Sequence, residues 1–74
     1  MKKTSIQTQF GKKIRELRTA QGYSQESFAH ACDLHRTYIG CIERGEKNIT
    51  INNIAKIAKV LKINISELLK DVKN

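Results

Sequence analysis

The sequence predicts an all-α fold, a compact five-helix domain, and three observations carry that expectation. Apolar residues recur at three- and four-residue spacing in five separate segments, and none shows the alternation of a β-strand. Capping residues stand where segments begin (Ser24, Thr50 and Asn64), while Gly22 and Gly45 stand where two of them end. Proline is absent, and no Ser/Gly-rich linker or internal repeat divides the 74 residues, so the chain is one domain.

Residues 1–5 are read as a flexible basic arm and 6–74 as the domain. Ile6, Phe10, Ile14 and Leu17 form the apolar stripe of a first helix over 6–21, which Gly22 ends in a left-handed conformation. Gly11 inside it costs about 1 kcal/mol against alanine, a cost that close packing would explain. Ser24 caps a second helix over 25–32, with Glu26 near the positive end of its dipole. Phe28 and Cys32 lie four apart and face inward, and Ala29 lets a neighbouring helix approach. Asp33 makes the following turn, since Asp tolerates positive φ better than most residues. A third helix covers 36–44, with His35 at its N-cap and Leu34, Ile39 and Ile42 pointing inward. Gly45 ends it, and Glu46, Lys47 and Asn48 form a polar loop. Thr50 caps a fourth helix over 51–61, where Ile51, Ile54, Ala58 and Leu61 mark one face and Ile57 and Val60 widen it. Asn64, with Glu67 three residues on, resembles a capping box opening a fifth helix over 65–72.

Fourteen Lys and Arg against seven Asp and Glu give a net charge of +7, and the pI is about 9.7. Such a surface suits nucleic acid or an anionic membrane, although excess lysine also simply keeps a small protein soluble. Aromatic residues are only 5%, which argues against a single-strand binder built on stacking platforms. Two cysteines lack the paired spacing of a zinc site and are too few for a disulfide framework. With no signal peptide and no long apolar run, the expected compartment is a reducing cytoplasm. No metal or cofactor is implied. Neither is an enzyme, for there is no nucleophile–base set, no paired carboxylates and no phosphate-cradling Gly loop.

The stretch from Ser24 to Gly45 organises the chain. It reads as two short helices joined by a tight turn, the layout of a helix-turn-helix whose second helix enters the DNA major groove. On that helix Arg36, Thr37, Gly40 and Cys41 share the face opposite Ile39 and Ile42. Arg36 lies in the first turn, where a guanidinium can bond guanine O6 and N7 together, and Thr37 can bond a base or touch a thymine methyl. Gly40 either leaves room for DNA or is a tolerated surface glycine. Cys41 faces the groove as a small contact; a redox-sensing role is weaker than a plain surface thiol, since no neighbour in sequence would make it reactive. Tyr38 either reaches a phosphate or sugar or packs its ring beside the first helices. Gln25, at the N-terminus of the second helix, suits a phosphate. His35 either touches the backbone or does nothing. Lys56, Lys59 and Lys62 read as a solvated edge.

From Gly22 to Leu69 the sequence resembles the Cro/phage-repressor type of helix-turn-helix, the lambda-repressor-like XRE family. The marks are Ser24-Gln25-Glu26, Ala29, Ile39, Ile42-Glu43-Arg44-Gly45 and Ile57-Ala58-Lys59-Val60-Leu61. Within that family it is most similar to the controller proteins of restriction–modification systems, in Arg36-Thr37-Tyr38, Ile42-Glu43-Arg44 and Asn48-Ile49-Thr50. The resemblance implies backbone contacts from Arg44, Lys47 and Asn48, and a structural ion pair between Arg18 and Glu43. Two positions depart from the pattern, Asp33 in the turn and Lys62 after the fourth helix, where glycine is usual.

The expected function is a sequence-specific, double-stranded DNA-binding transcription regulator acting as a homodimer on a palindromic operator in its own promoter. One helix in one groove reads few base pairs, so two-fold pairing supplies a second half-site. Ile57, Val60, Ile63, Ile65 and Leu69 exceed what so small a core needs and are assigned to the dimer surface, the alternative being that all are core. Two dimers on adjacent sites and RNA polymerase are further partners of such a regulator. With no effector domain following, concentration and cooperative binding would do the regulating. The rival readings are a phage or chromosomal Cro-like repressor, or an antitoxin-type protein-interaction module.

Overall fold

The computed structural model describes residues 5–73. Five helices follow in order: α1 Ile6–Ala20, α2 Gln25–Cys32, α3 Arg36–Glu43, α4 Ile51–Leu61 and α5 Ile65–Leu69. The core is one cluster to which every helix contributes, from Phe10 and Ile14 of α1 to Leu68 of α5, with Phe28, Ile39 and Ile57 fully buried between them.

The first four helices begin alike. Ser5, Ser24, His35 and Thr50 are extended, and each side chain accepts a backbone N–H of the first turn, so an otherwise orphaned donor is satisfied. Ser24 and Ser27 complete a reciprocal capping box. Ser5 therefore belongs to the domain as the cap of α1 and not to the basic arm, while residues 1–4 of that arm lie outside the described residues.

The same four helices also end alike. Gly22, Asp33, Gly45 and Lys62 are left-handed. The N–H of the next residue reaches back five positions: Tyr23 to Arg18, Leu34 to Ala29, Glu46 to Cys41 and Ile63 to Ala58, at 2.9–3.1 Å. This is the Schellman motif, in which the residue after the left-handed one packs an apolar side chain onto the helix end. Tyr23, Leu34 and Ile63 do so, half-buried against the core. Asp33 and Lys62 thus take the backbone that glycine usually takes, and both helix ends keep the motif's hydrogen bond.

Gly11 is explained by packing. A Cβ there would run into the Ile42 carbonyl oxygen and lie 2.8 Å from that of Glu43, so α1 and α3 cross backbone to backbone.

Helices α1 and α3 each stop one residue short of the expected 21 and 44, and three further expectations need correction. The fifth helix stops at Leu69, three residues short of 72. Beyond it the Val72 N–H turns back to the Leu69 carbonyl, and Gln9 of α1 takes both backbone groups of Lys73. Pairing to α1 thus replaces helix continuation. The box at Asn64 does not form: its side chain makes no capping bond, and the Glu67 carboxylate turns to Lys70 at 3.9 Å. Ile57 is not on an outer face, since it is wholly buried in the protomer's own core.

Candidate nucleic-acid interface

Helix α3 is built from its buried side outward. Ile39 and Ile42 anchor one side of α3, while Arg36 and Thr37 stand exposed on the other. Anchoring is polar as well as apolar. The Arg18 guanidinium donates to both Glu43 oxygens, at 2.6 and 3.0 Å, and to the Tyr23 carbonyl at 2.9 Å. Both side chains are shielded, at 8% and 2% exposure, so the predicted pair is an interior one. The Gln25 amide donates to the same carboxylate at 3.0 Å. One carboxylate thereby ties α1, the start of α2 and the end of α3 into a single rigid unit.

The first turn of α3 is set by His35, whose Nδ1 accepts the Thr37 N–H at 3.2 Å. An accepting Nδ1 carries no proton, so Nε2 of this exposed ring is the donor. Arg36 faces Glu26 of α2 at 3.8 Å with both groups well exposed, a contact of little energy. Tyr38 packs its ring against the core and its hydroxyl accepts from Asn53 of α4 at 3.0 Å. The hydroxyl is thus directed toward α4, and not, as the packing alternative had it, beside the first helices.

Farther along, the face changes character. Gly40 is buried, and the surface above it belongs to Arg44, whose Nη1 would sit 3.2 Å from a Cβ at that position. The expected bare patch at Gly40 is therefore covered by a cation. Arg44 donates through Nε to Glu46 at 3.0 Å and lies 3.6 Å from the half-buried Cys41 sulfur. The hydrogen bond and charge of Glu46 push the Arg44 pKa up, and the bond from Arg44 holds the Glu46 carboxyl down. Lys47 is exposed in the next loop, and Asn48 accepts from Gln7 of α1 at 2.6 Å.

The structure thus brings Arg36, Thr37, Cys41 and Arg44 onto one side of α3, with Gln25 and His35 at the two helix starts beside it. The contacts made by Glu26, Glu46, Asn53 and Gln7 escaped the sequence reading, because no spacing rule encodes them. Cys32 lies away from this face. Burial pushes its thiol up to about 11, against the pull of Lys56, so it is an inert core residue. Among the described residues no group of three or more His, Cys, Asp or Glu could hold a metal. No helix among the described residues is long and apolar enough to cross a membrane.

A protein-family model described as helix-turn-helix matches residues 14–68. The control protein C.BamHI of Bacillus amyloliquefaciens is 47% identical over 66 residues, spanning 88% of this chain and 82% of the relative. Among solved structures, the restriction–modification controller protein C.AhdI of Aeromonas hydrophila superposes with a TM-score of 0.82 at 47% identity, covering 84% of this chain and 94% of that one. C.Esp1396I, solved bound to a 25-base-pair operator site, superposes with a TM-score of 0.80 at 28% identity, covering 95% and 92%.

Proposed function

The chain belongs to the helix-turn-helix family, among the restriction–modification control proteins, and from that premise we propose that it is a sequence-specific DNA-binding transcription regulator. It acts as a homodimer on a palindromic operator in its own promoter. One observation carries the reading: Arg36 and Thr37 project from a helix whose opposite side is held by Ile39, Ile42 and the Arg18–Glu43 pair. A rod fixed in this way presents base-reading groups without first having to order them.

Dimerisation is supported by what remains uncovered. Ile6, Ile51 and Leu69 stay 47%, 66% and 38% exposed, and Val60, Ile63 and Ile65 are half-buried. A groove of about 320 Å³ between Ile6, Phe10, Ile54 and Leu69 continues that surface. A second copy placing Val60, Ile63, Ile65 and Leu69 against its own equivalents removes part of it from water, and a two-fold reader of DNA needs its two α3 helices about 34–36 Å apart.

Selection of bound duplexes from a random pool tests the reading. The expected product is a two-fold consensus. Arg36→Ala should then relax one base pair per half-site by about 1–3 kcal/mol. Lys47→Ala should weaken every duplex alike and reduce the salt slope by about one unit. Binding blind to sequence would overturn the reading in favour of a protein-interaction module.

A further inference from the structure

We propose that Gly40 is a positioning residue that, by lacking a side chain, lets the Arg44 guanidinium fold back along α3 and join the base-reading face. The inference rests on the DNA-binding reading and adds a specificity determinant to it. Arg36, Thr37, Cys41 and Arg44 lie in one stripe of the helix, and Gly40 sits one turn before Arg44. With nothing at Gly40 beyond Cα, the guanidinium lies over that position, Nη1 3.2 Å from where a Cβ would stand and Nη2 3.6 Å from the Cys41 sulfur. The charged head thus returns about 5.4 Å, one helical turn, toward Arg36 instead of extending off the helix end. Glu46 holds it there through Nε at 3.0 Å. That bond has two consequences. It sets a carboxylate beside the cation, which makes Arg44 a poorer counter-charge for phosphate. It also leaves the Nη1–Nη2 edge for a pair of acceptors such as guanine O6 and N7 in the major groove.

The glycine has a cost, since it weakens an eight-residue helix relative to alanine. A methyl at this position meets only the far end of the Arg44 side chain and no backbone, so the fold itself does not need glycine there. Stability and recognition should therefore respond in opposite directions.

The test is a set of competition titrations with single-base-pair variants of the duplex selected by the wild-type chain. Gly40→Ala, Arg44→Ala and the double variant are compared, each with its melting temperature. Gly40→Ala should melt at or above the wild type yet lose roughly 5- to 100-fold discrimination at one base pair per half-site. Arg44→Ala should lose it at the same base pair, with an unchanged salt slope, and adding Gly40→Ala to it should change nothing more. A Gly40→Ala variant with wild-type preferences overturns the proposal. So does an Arg44→Ala variant that weakens all duplexes equally, the signature of a phosphate contact. Should the wild-type chain select no duplex at all, the DNA-binding reading fails first and takes this inference with it.

Discussion

The contact between α1 and α3 and the end formed by α4 and α5 are held by opposite means. At the first, two backbones touch at Gly11, and a buried, fully bonded carboxylate, Glu43, gathers Arg18 and Gln25. Every polar group that enters the interior there finds its partner, and the geometry admits no slack. At the second, α5 is five residues long and has no side-chain cap, and Leu69 and Ile51 remain in water. Lys13 bonds the Glu67 carbonyl at 2.9 Å, and Gln9 holds Lys73, so α1 steadies this end from outside. The difference separates two tasks. Under the proposed function, a helix that reads bases must be fixed before DNA arrives, whereas a surface that would pair with a second copy keeps apolar area for it.

Breaking the rigid end should have the largest effect. Glu43→Ala leaves Arg18 charged, buried and unpaired, which costs about 3–5 kcal/mol. A domain of this size rarely has more than about 3–5 kcal/mol from its core, so urea or thermal melting should find the variant largely unfolded. A folded variant with a near wild-type midpoint would mean the pair carries little. Gly11→Ala comes next. Its methyl meets carbonyl groups of α3 that cannot move without shifting the helix, so overpacking of about 1–3 kcal/mol should outweigh the gain in helix propensity. A stabilised Gly11→Ala protein would contradict the backbone-to-backbone crossing.

The open end should behave differently. Leu69→Glu places a charge on a side chain already 38% exposed, so the protomer should keep its fold, with circular dichroism unchanged. The proposed dimer should dissociate at least about tenfold more readily in sedimentation equilibrium, equivalent to about 1.4 kcal/mol. An unchanged dimer would move the interface elsewhere. The smallest effect belongs to Lys62→Gly, which relieves a left-handed lysine at φ 61° and should raise the melting midpoint by the equivalent of about 0.5–1 kcal/mol. A lowered midpoint would show that the lysine side chain contributes more than its backbone strain costs.

Local rules were sufficient for much of the fold. Ser24, Thr50 and the apolar spacing placed α2 and α4 with the bounds the structure has, because caps and periodicity act within a few residues. The same rules overran at α5. The backbone beyond Leu69 bonds Gln9, 64 residues away, and nothing in the local pattern encodes that partner. The candidate site divides in the same way. Arg36 and Thr37 were legible as outward residues from their offset to Ile39 and Ile42. The Tyr38–Asn53 and Arg44–Glu46 contacts were not, since they depend on the angle at which α4 and the loop meet α3.

By itself, then, the sequence determined five helices, the caps of α2, α3 and α4, the inward and outward sides of α3 and the basic surface, all of which follow from short-range periodicity and charge. Tertiary structure alone decided that Ile57 belongs to the core, that Gly11 marks a helix crossing and that Arg44 lies over Gly40. Each of those depends on distances between segments far apart in the chain, and only the packed fold sets such distances.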